Sequence, residues 1–218
     1  MADWNLSFTS PQPIVLHQFG IHPWWAHEPR RPDDWLDQLR EKLLTHPESG
    51  VGEIGLDWNK KDTFSVQTEI FKAQLELGSE LGRVCSIHCV KAFGPLMQIL
   101  NSAKPTCALV MHSFSGSEEV ILDLEKKFPN QVYYSVSAQC PRDAVLALIP
   151  PSQLLIETDS PDQQMRAHLG SSVSCPEPLL VNDCSQLGHV AARVARVRGL
   201  SVEAVVRMTS ANAIRAFT

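Results

Sequence analysis

Four apolar runs in this chain stop at side chains able to hold a divalent cation or carry a proton. They are Val51-Gly-Glu-Ile-Gly-Leu-Asp57, Ser86-Ile-His88, Leu109-Val-Met-His112 and Leu154-Leu-Ile-Glu-Thr-Asp-Ser-Pro161. Glu53, His88, His112 and Asp159 are the candidate ligands, and Glu53 and Asp57 fall on one side of a strand because they are four apart. Two imidazoles and two carboxylates form a mixed nitrogen and oxygen donor set. Such a set suits Zn²⁺ or Mn²⁺, and also Mg²⁺ when substrate phosphate adds oxygens.

Taken singly, each residue has a plainer role. Glu53 and Asp57 read as a salt bridge and a cap, His88 as a hydrogen-bonded core histidine, His112 as a turn residue and Asp159 as a cap. Four in succession at strand ends point to a site. Around them, His22, which ends the earlier run Gly20-Ile-His-Pro-Trp-Trp25, reads as a substrate contact or a support for the ligands. Asp57, Lys91 and Arg166 read the same way. Lys91 as a Schiff-base amine would need a desolvated pocket, which the sequence does not show. Trp24 and Trp25 are candidates for stacking a base, and Lys60, Lys61 and Arg166 for contacting phosphates, against the plainer reading of loop packing and solvated charge.

To bring these residues together the chain needs elements whose ends converge. Strand-like runs over 14–21, 51–56, 84–90, 107–112, 131–137 and 154–158 alternate with helical periodicity over 33–45, 64–81, 94–100, 117–128 and 141–148. Two further helices, 182–198 and 202–217, close the chain. Trp35, Leu36, Leu39 and Leu43 form one stripe, and Phe64, Thr68, Phe71, Leu75 and Gly78 another. The helix over 117–128 has Glu118 and Glu119 in its first turn and Lys126 and Lys127 in its last, matching the helix dipole. The loop with Pro161, Gly170, Pro176 and Pro178 is long enough to be a lid.

Strands alternating with helices give βαβ units and a parallel sheet. A (β/α) barrel is preferred over an open doubly wound sheet, since only a barrel gathers several strand ends at one mouth, and no glycine-rich phosphate loop is present. The expected fold is therefore an α/β, amidohydrolase-type (β/α) TIM barrel, incomplete with about six of eight strands, in one domain spanning residues 1–218.

With 44% apolar residues over 218 positions, the chain can bury one sizeable core. A net charge of −5 excludes a protein coated in positive charge, so nucleic acid would have to meet a local basic patch. The six cysteines show no CxxC pair, and Cys85, Cys89 and Cys107 fall in apolar runs, as buried free thiols do. No leader pattern and no run of about 18 apolar residues is present, so a soluble cytoplasmic or nuclear protein with no membrane contact is expected.

The motifs Phe19-Gly-Ile-His-Pro23, Gly52-Glu-Ile-Gly-Leu-Asp57, Ile87-His88, His112-Ser-Phe-Ser-Gly-Ser117, Glu157-Thr-Asp-Ser-Pro161 and Thr209-Ser-Ala-Asn-Ala213 occur in order. Together they resemble the TatD family of metal-dependent hydrolases. The resemblance implies hydrolysis of phosphoester bonds by a cation-activated water. The activity would be that of a deoxyribonuclease of the 3'-5' exonuclease kind, with one or two divalent ions, Mg²⁺ foremost, and DNA as substrate. It also implies that Glu53, His88 and His112 hold one ion and that Glu53 and Asp159 contribute to the other. Asp159 would handle the water's proton, with Glu157 behind it.

The family's His-x-His pair is absent. His17 and His22 are five apart, as are His22 and His27. The chain accordingly reads as beginning after the first two barrel strands. A catalytically weakened relative that serves as a binding or scaffold protein is the competing expectation.

Overall fold

The computed structural model describes residues 15–28, 31–138, 142–163 and 182–218. Six strands form one parallel sheet: β1 Gln18–Phe19, β2 Gly50–Asp57, β3 Cys85–Val90, β4 Leu109–Met111, β5 Val132–Val136 and β6 Leu154–Ile156. Their spatial order is the order of the sequence. Each crossover thus steps to the next strand in the same direction, as in a (β/α) barrel, and the sheet has no switch point of the doubly wound kind. Helices α1 Trp35–Thr45, α2 Phe64–Glu80, α3 Phe93–Ala103, α4 Glu118–Lys127 and α5 Asp143–Leu148 make the crossovers. α6 Leu187–Arg198 and α7 Val202–Phe217 follow β6.

Alternation along the strands sorts the two faces. Val51, Ile54, Leu56, Cys85, Ile87, Cys89, Leu109, Met111, Val132, Tyr134, Val136 and Leu154 are buried in the main core with α1 to α6. The opposite parity carries Ser86, His88, Val110, His112, Ser135, Leu155 and Glu157. On that inner face Val110, Tyr133 and Leu155 pack with Ala216, beside Ala213 and Phe217 of α7. The last helix therefore covers apolar surface on the inner face of the sheet. A cavity of about 440 Å³ remains beside it, reaching from Gln18 and Ser86 up to His112 and Glu157.

β2 changes parity partway along. Val51 pairs with Cys85 and Ile54 with Ile87, so the strand holds one residue more than its partner between those points. This bulge lets Val51 and Ile54 both face the helices although they are three apart, and it sends Glu53, Gly55 and Asp57 inward. Gly55 (φ 145°) is required there, because a Cβ would meet the His88 carbonyl oxygen at 1.9 Å.

The elements expected from periodicity are present, most with trimmed ends, while β2 and α3 run beyond the 51–56 and 94–100 expected. The largest difference is β1, where the apolar pattern extends over 14–21 but only Gln18 and Phe19 pair. Val15 and Leu16 are exposed, and Ile21 bonds to a side chain instead of a strand. Charges at the ends of α4 stand as anticipated, and Gly199 (φ 64°) terminates α6. Cys85, Cys89 and Cys107 are buried free thiols, while Cys184 is exposed. No helix among the described residues is long and apolar enough to cross a membrane.

Candidate metal centre

The inner-face polar residues converge where the strands end. Glu53 lies within β2, not at its end, and its carboxylate reaches both sides of the mouth. Oε1 is 3.3 Å from His112 Nε2, and Oε2 is 3.6 Å from His88 Nδ1 and 3.7 Å from His22 Nε2. His112 Nε2 also lies 2.8 Å from Asp159 Oδ1, while its Nδ1 is 3.0 Å from Glu157 Oε2. Glu53, His88, His112 and Asp159 are thus brought together as their strand positions require, with Glu157 directly behind His112.

This arrangement fixes the useful tautomer of His112. With Nδ1–H donated to Glu157, Nε2 turns a lone pair toward Glu53 and Asp159. Three acceptors then face one point, which is a cation's environment. A proton on Nε2 competes for that place. Burial disfavours the imidazolium, but the hydrogen bonds to Asp159 and Glu157 outweigh burial and push the His112 pKa up to about 11. Burial likewise opposes ionisation of Glu53, yet the hydrogen bond from His88 and the nearby His112 and His22 hold its pKa below the usual value.

His22, Glu53 and His88 lie close enough to form a second set of three donors sharing Glu53 with the first, which consists of Glu53, His112 and Asp159. The hydrogen bonds of His22 argue against counting it as a ligand. Its Nδ1 accepts the Trp24 amide at 3.2 Å, so the neutral ring carries its proton on Nε2, facing Glu53. Burial and the neighbouring His88 lower its pKa to about 4, so it stays neutral at physiological pH. His22 is a donor here. His88 differs, because its buried Nε2 has no hydrogen-bond partner and Asp57 Oδ2 is the nearest acid, at 3.5 Å.

Asp57 is 2% exposed and works as a tether. Its Oδ2 accepts from Trp24 Nε1 at 2.6 Å and its Oδ1 from the Asn59 amide at 2.8 Å. Asp57 therefore caps the 3₁₀ turn Trp58–Thr63, as in its plainer reading, and also anchors the loop that carries His22. Lys91 is exposed and its Nζ donates to Asn59 Oδ1 at 3.1 Å, so it lacks the desolvated setting of a Schiff-base lysine. Arg166, and most of the loop read as a lid, lie outside the described residues.

Several positioning residues escaped the sequence reading. Gln74 and Gln67, two turns apart on α2, are fully buried. Gln74 accepts from the Ile21 amide at 2.5 Å and donates to the Ile21 carbonyl at 3.1 Å, which holds His22 in place. Gln67 accepts from the Asp57 amide at 2.8 Å. Asn182 donates to the Thr158 and Asp162 carbonyls on either side of Asp159, whose backbone is left-handed (φ 57°). Asn212, in the closing motif, donates to the Pro151 and Leu154 carbonyls, both at 2.8 Å, and so sets the entry to β6. Polar residues on the buried stripe of a helix were the available signal for the two glutamines.

The family model described as TatD related DNase matches residues 5–218. A human protein named 3'-5' RNA nuclease TATDN2 is 35% identical over 159 residues, covering 68% of this chain and 20% of the relative. A protein of Erwinia billingiae named 3'-5' ssDNA/RNA exonuclease TatD is 29% identical, with 91% of this chain and 76% of the relative covered. An Escherichia coli protein, the uncharacterized metal-dependent hydrolase YcfH, is 30% identical over 93% of this chain and 74% of its own length. Among solved structures, the TatD homolog YJJV from Escherichia coli superposes with a TM-score of 0.77 at 24% identity, covering 93% of this chain and 76% of that one. The chain therefore spans a fifth of the human relative and about three quarters of the bacterial ones.

Proposed function

Because the chain belongs to the TatD related DNase family, we propose that it is a metal-dependent nuclease hydrolysing the end phosphodiester of a single nucleic-acid strand, with DNA as first substrate and RNA as second. Glu53, His112 and Asp159 would hold the cation, with His88 on the other side of Glu53, its Nδ1 3.6 Å from Oε2. The observation that carries this reading is the orientation of His112, whose Nδ1 is engaged by Glu157 while Nε2 faces Glu53 and Asp159. The names of the human and Erwinia relatives support an exonuclease working from the 3' end.

A divalent cation in this site supplies Lewis-acid charge to a phosphodiester oxygen. The protein's own groups do the rest. Asp159 meets His112 through Oδ1, leaving Oδ2 to take the proton of an attacking water. His22 presents a neutral Nε2–H, a donor suited to a non-bridging phosphate oxygen. The water oxygen bonds to phosphorus, the bond to the 3' oxygen breaks, and that oxygen takes its proton from solvent.

The test is hydrolysis of end-labelled single-stranded DNA and RNA by the purified chain with Mg²⁺, Mn²⁺ or Zn²⁺, beside its His112→Ala variant. Cation-dependent release of mononucleotides, abolished by chelation and at least about a hundredfold slower in the variant, is expected. A folded chain that binds the cation and releases nothing from either strand refutes the reading.

A further inference from the structure

The rim of the mouth is divided by side. The turns after β1, β2 and β3 bear Trp24 and Trp25, then Trp58, Lys60 and Lys61, then Lys91, whereas the β4 and β6 ends bear His112, Glu157 and Asp159. The tryptophans are unusual for large aromatic residues in being open, with Trp24 45%, Trp25 62% and Trp58 48% exposed. Trp24 and Trp58 are nonetheless held. Trp24 is bonded to Asp57 and stands edge-on to His22 at 5.1 Å and to His88 at 6.4 Å. Trp58 packs edge-on against Phe64 at 4.8 Å. Exposed rings with fixed edges lose little freedom when a flat partner covers their faces.

Cations accompany the rings. Lys60 Nζ sits 5.7 Å from the Trp24 ring centre, and Lys91 Nζ is tied to Asn59 in the same turn as Lys60. The turn Trp58–Thr63 carries two lysines against one acid, Asp62, in a chain whose net charge is −5. Local basicity interleaved with open aromatics, on an otherwise acidic protein, matches a flexible polyanion with π faces. Duplex DNA does not offer those faces, because its bases are already stacked.

We propose that this aromatic and basic rim is the track for a single nucleic-acid strand. Bases stack on Trp25 and Trp58, and phosphates meet Lys60 and Lys91. The strand's end is thereby delivered past Trp24 to the centre formed by Glu53, His112 and Asp159. The inference rests on the nuclease reading for its direction, since the track must lead to the cation.

Binding without turnover tests it separately. Anisotropy of a fluorescein-labelled oligothymidine of about ten nucleotides is followed with the full chain in EDTA, for the native sequence and for Trp25→Ala, Trp58→Ala, Trp58→Phe and Lys60→Ala. Each tryptophan-to-alanine change should raise Kd by about five- to a hundredfold, with Trp58→Phe largely restoring it. Lys60→Ala should reduce the salt slope of log K by about 0.7. A duplex of the same sequence should bind more weakly.

Unchanged affinity in both tryptophan variants, with native circular dichroism, overturns the track, as does equal affinity for duplex. Oligonucleotide binding that depends on these residues in a chain that hydrolyses nothing would refute the nuclease reading and leave the track standing. Hydrolysis with affinities untouched by the substitutions would do the reverse.

Discussion

The Nδ1 of His112 lies 3.0 Å from Glu157 Oε2, the carboxylate that orients the ring toward the cation position. Glu157 lies on the inner face two residues before Asp159, so the same strand end supplies one proposed ligand and the group that aligns another, His112, just after β4. Replacing Glu157 with Gln keeps the shape and removes the charge. Affinity for Mn²⁺ should fall about 10- to 100-fold, measured by titration calorimetry, while the unfolding midpoint changes little. Unaltered affinity would deny Glu157 that part.

Cation binding should release a proton. Against burial, the hydrogen bonds to Asp159 and Glu157 raise the His112 pKa from 6.5 to about 11, so a cation taking Nε2 must displace a proton at neutral pH. The sign follows. A group raised in the folded state contributes stability in full below pH 6.5 and loses it as pH climbs through 11. Over the same window the apparent cation affinity should rise by up to about tenfold per pH unit. Calorimetry at pH 7.5 in two buffers of different ionisation enthalpy should show about one proton released per ion. Buffer-independent heats would contradict the arrangement.

The two buried glutamines of α2 should matter to stability more than their exteriors on a helix would imply. Gln74→Leu strips the Ile21 amide and carbonyl of their partners. The cost should be about 1–3 kcal/mol for each group left unpaired, read from urea unfolding. Gln67→Leu should behave alike. A loss below about 0.5 kcal/mol, the scale of a surface substitution, would show that water replaces the side chain without penalty.

Two glycines should respond oppositely to alanine. At Gly55 the added methyl would overlap the His88 carbonyl, so Gly55→Ala should destabilise by about 3 kcal/mol or more. At Gly94, in the first turn of α3 with nothing within 4 Å, alanine should stabilise by up to about 1 kcal/mol. Thermal unfolding of the pair checks both, and equal shifts would mean that the bulged strand relaxes away from β3.

Much of the centre was legible because strand parity is written in the sequence. His88, His112 and Glu157 fall on the inner face by simple alternation, and Asp159 follows two residues beyond. Glu53 was recognisable as a donor and the resemblance implied its sharing between two ions, but strand parity alone did not place it, because the bulge between Val51 and Ile54 alters that parity. The truncation of β1 was hidden for a different reason. Val15 and Leu16 are apolar yet exposed, so composition overstated the strand. Gln67 and Gln74 stand out only as polar residues on a buried helix stripe, and neither they nor Asn182 disclose in the sequence which backbone atoms they bond. The donor role of His22 needed its hydrogen bond to the Trp24 amide, which residue types alone do not disclose.

The proposed ligands come from strands far apart along the chain: Glu53 on β2, His112 after β4 and Asp159 after β6. An unfolded chain cannot hold all three around one ion without first closing loops of many tens of residues. The ion therefore binds the native state almost alone, and its affinity is converted into resistance to unfolding. At a hundred times its Kd it should add about 2.7 kcal/mol. The melting temperature thus becomes a selectivity scale, on which the cation that fits these donors best declares itself by the largest upward shift, with no substrate present.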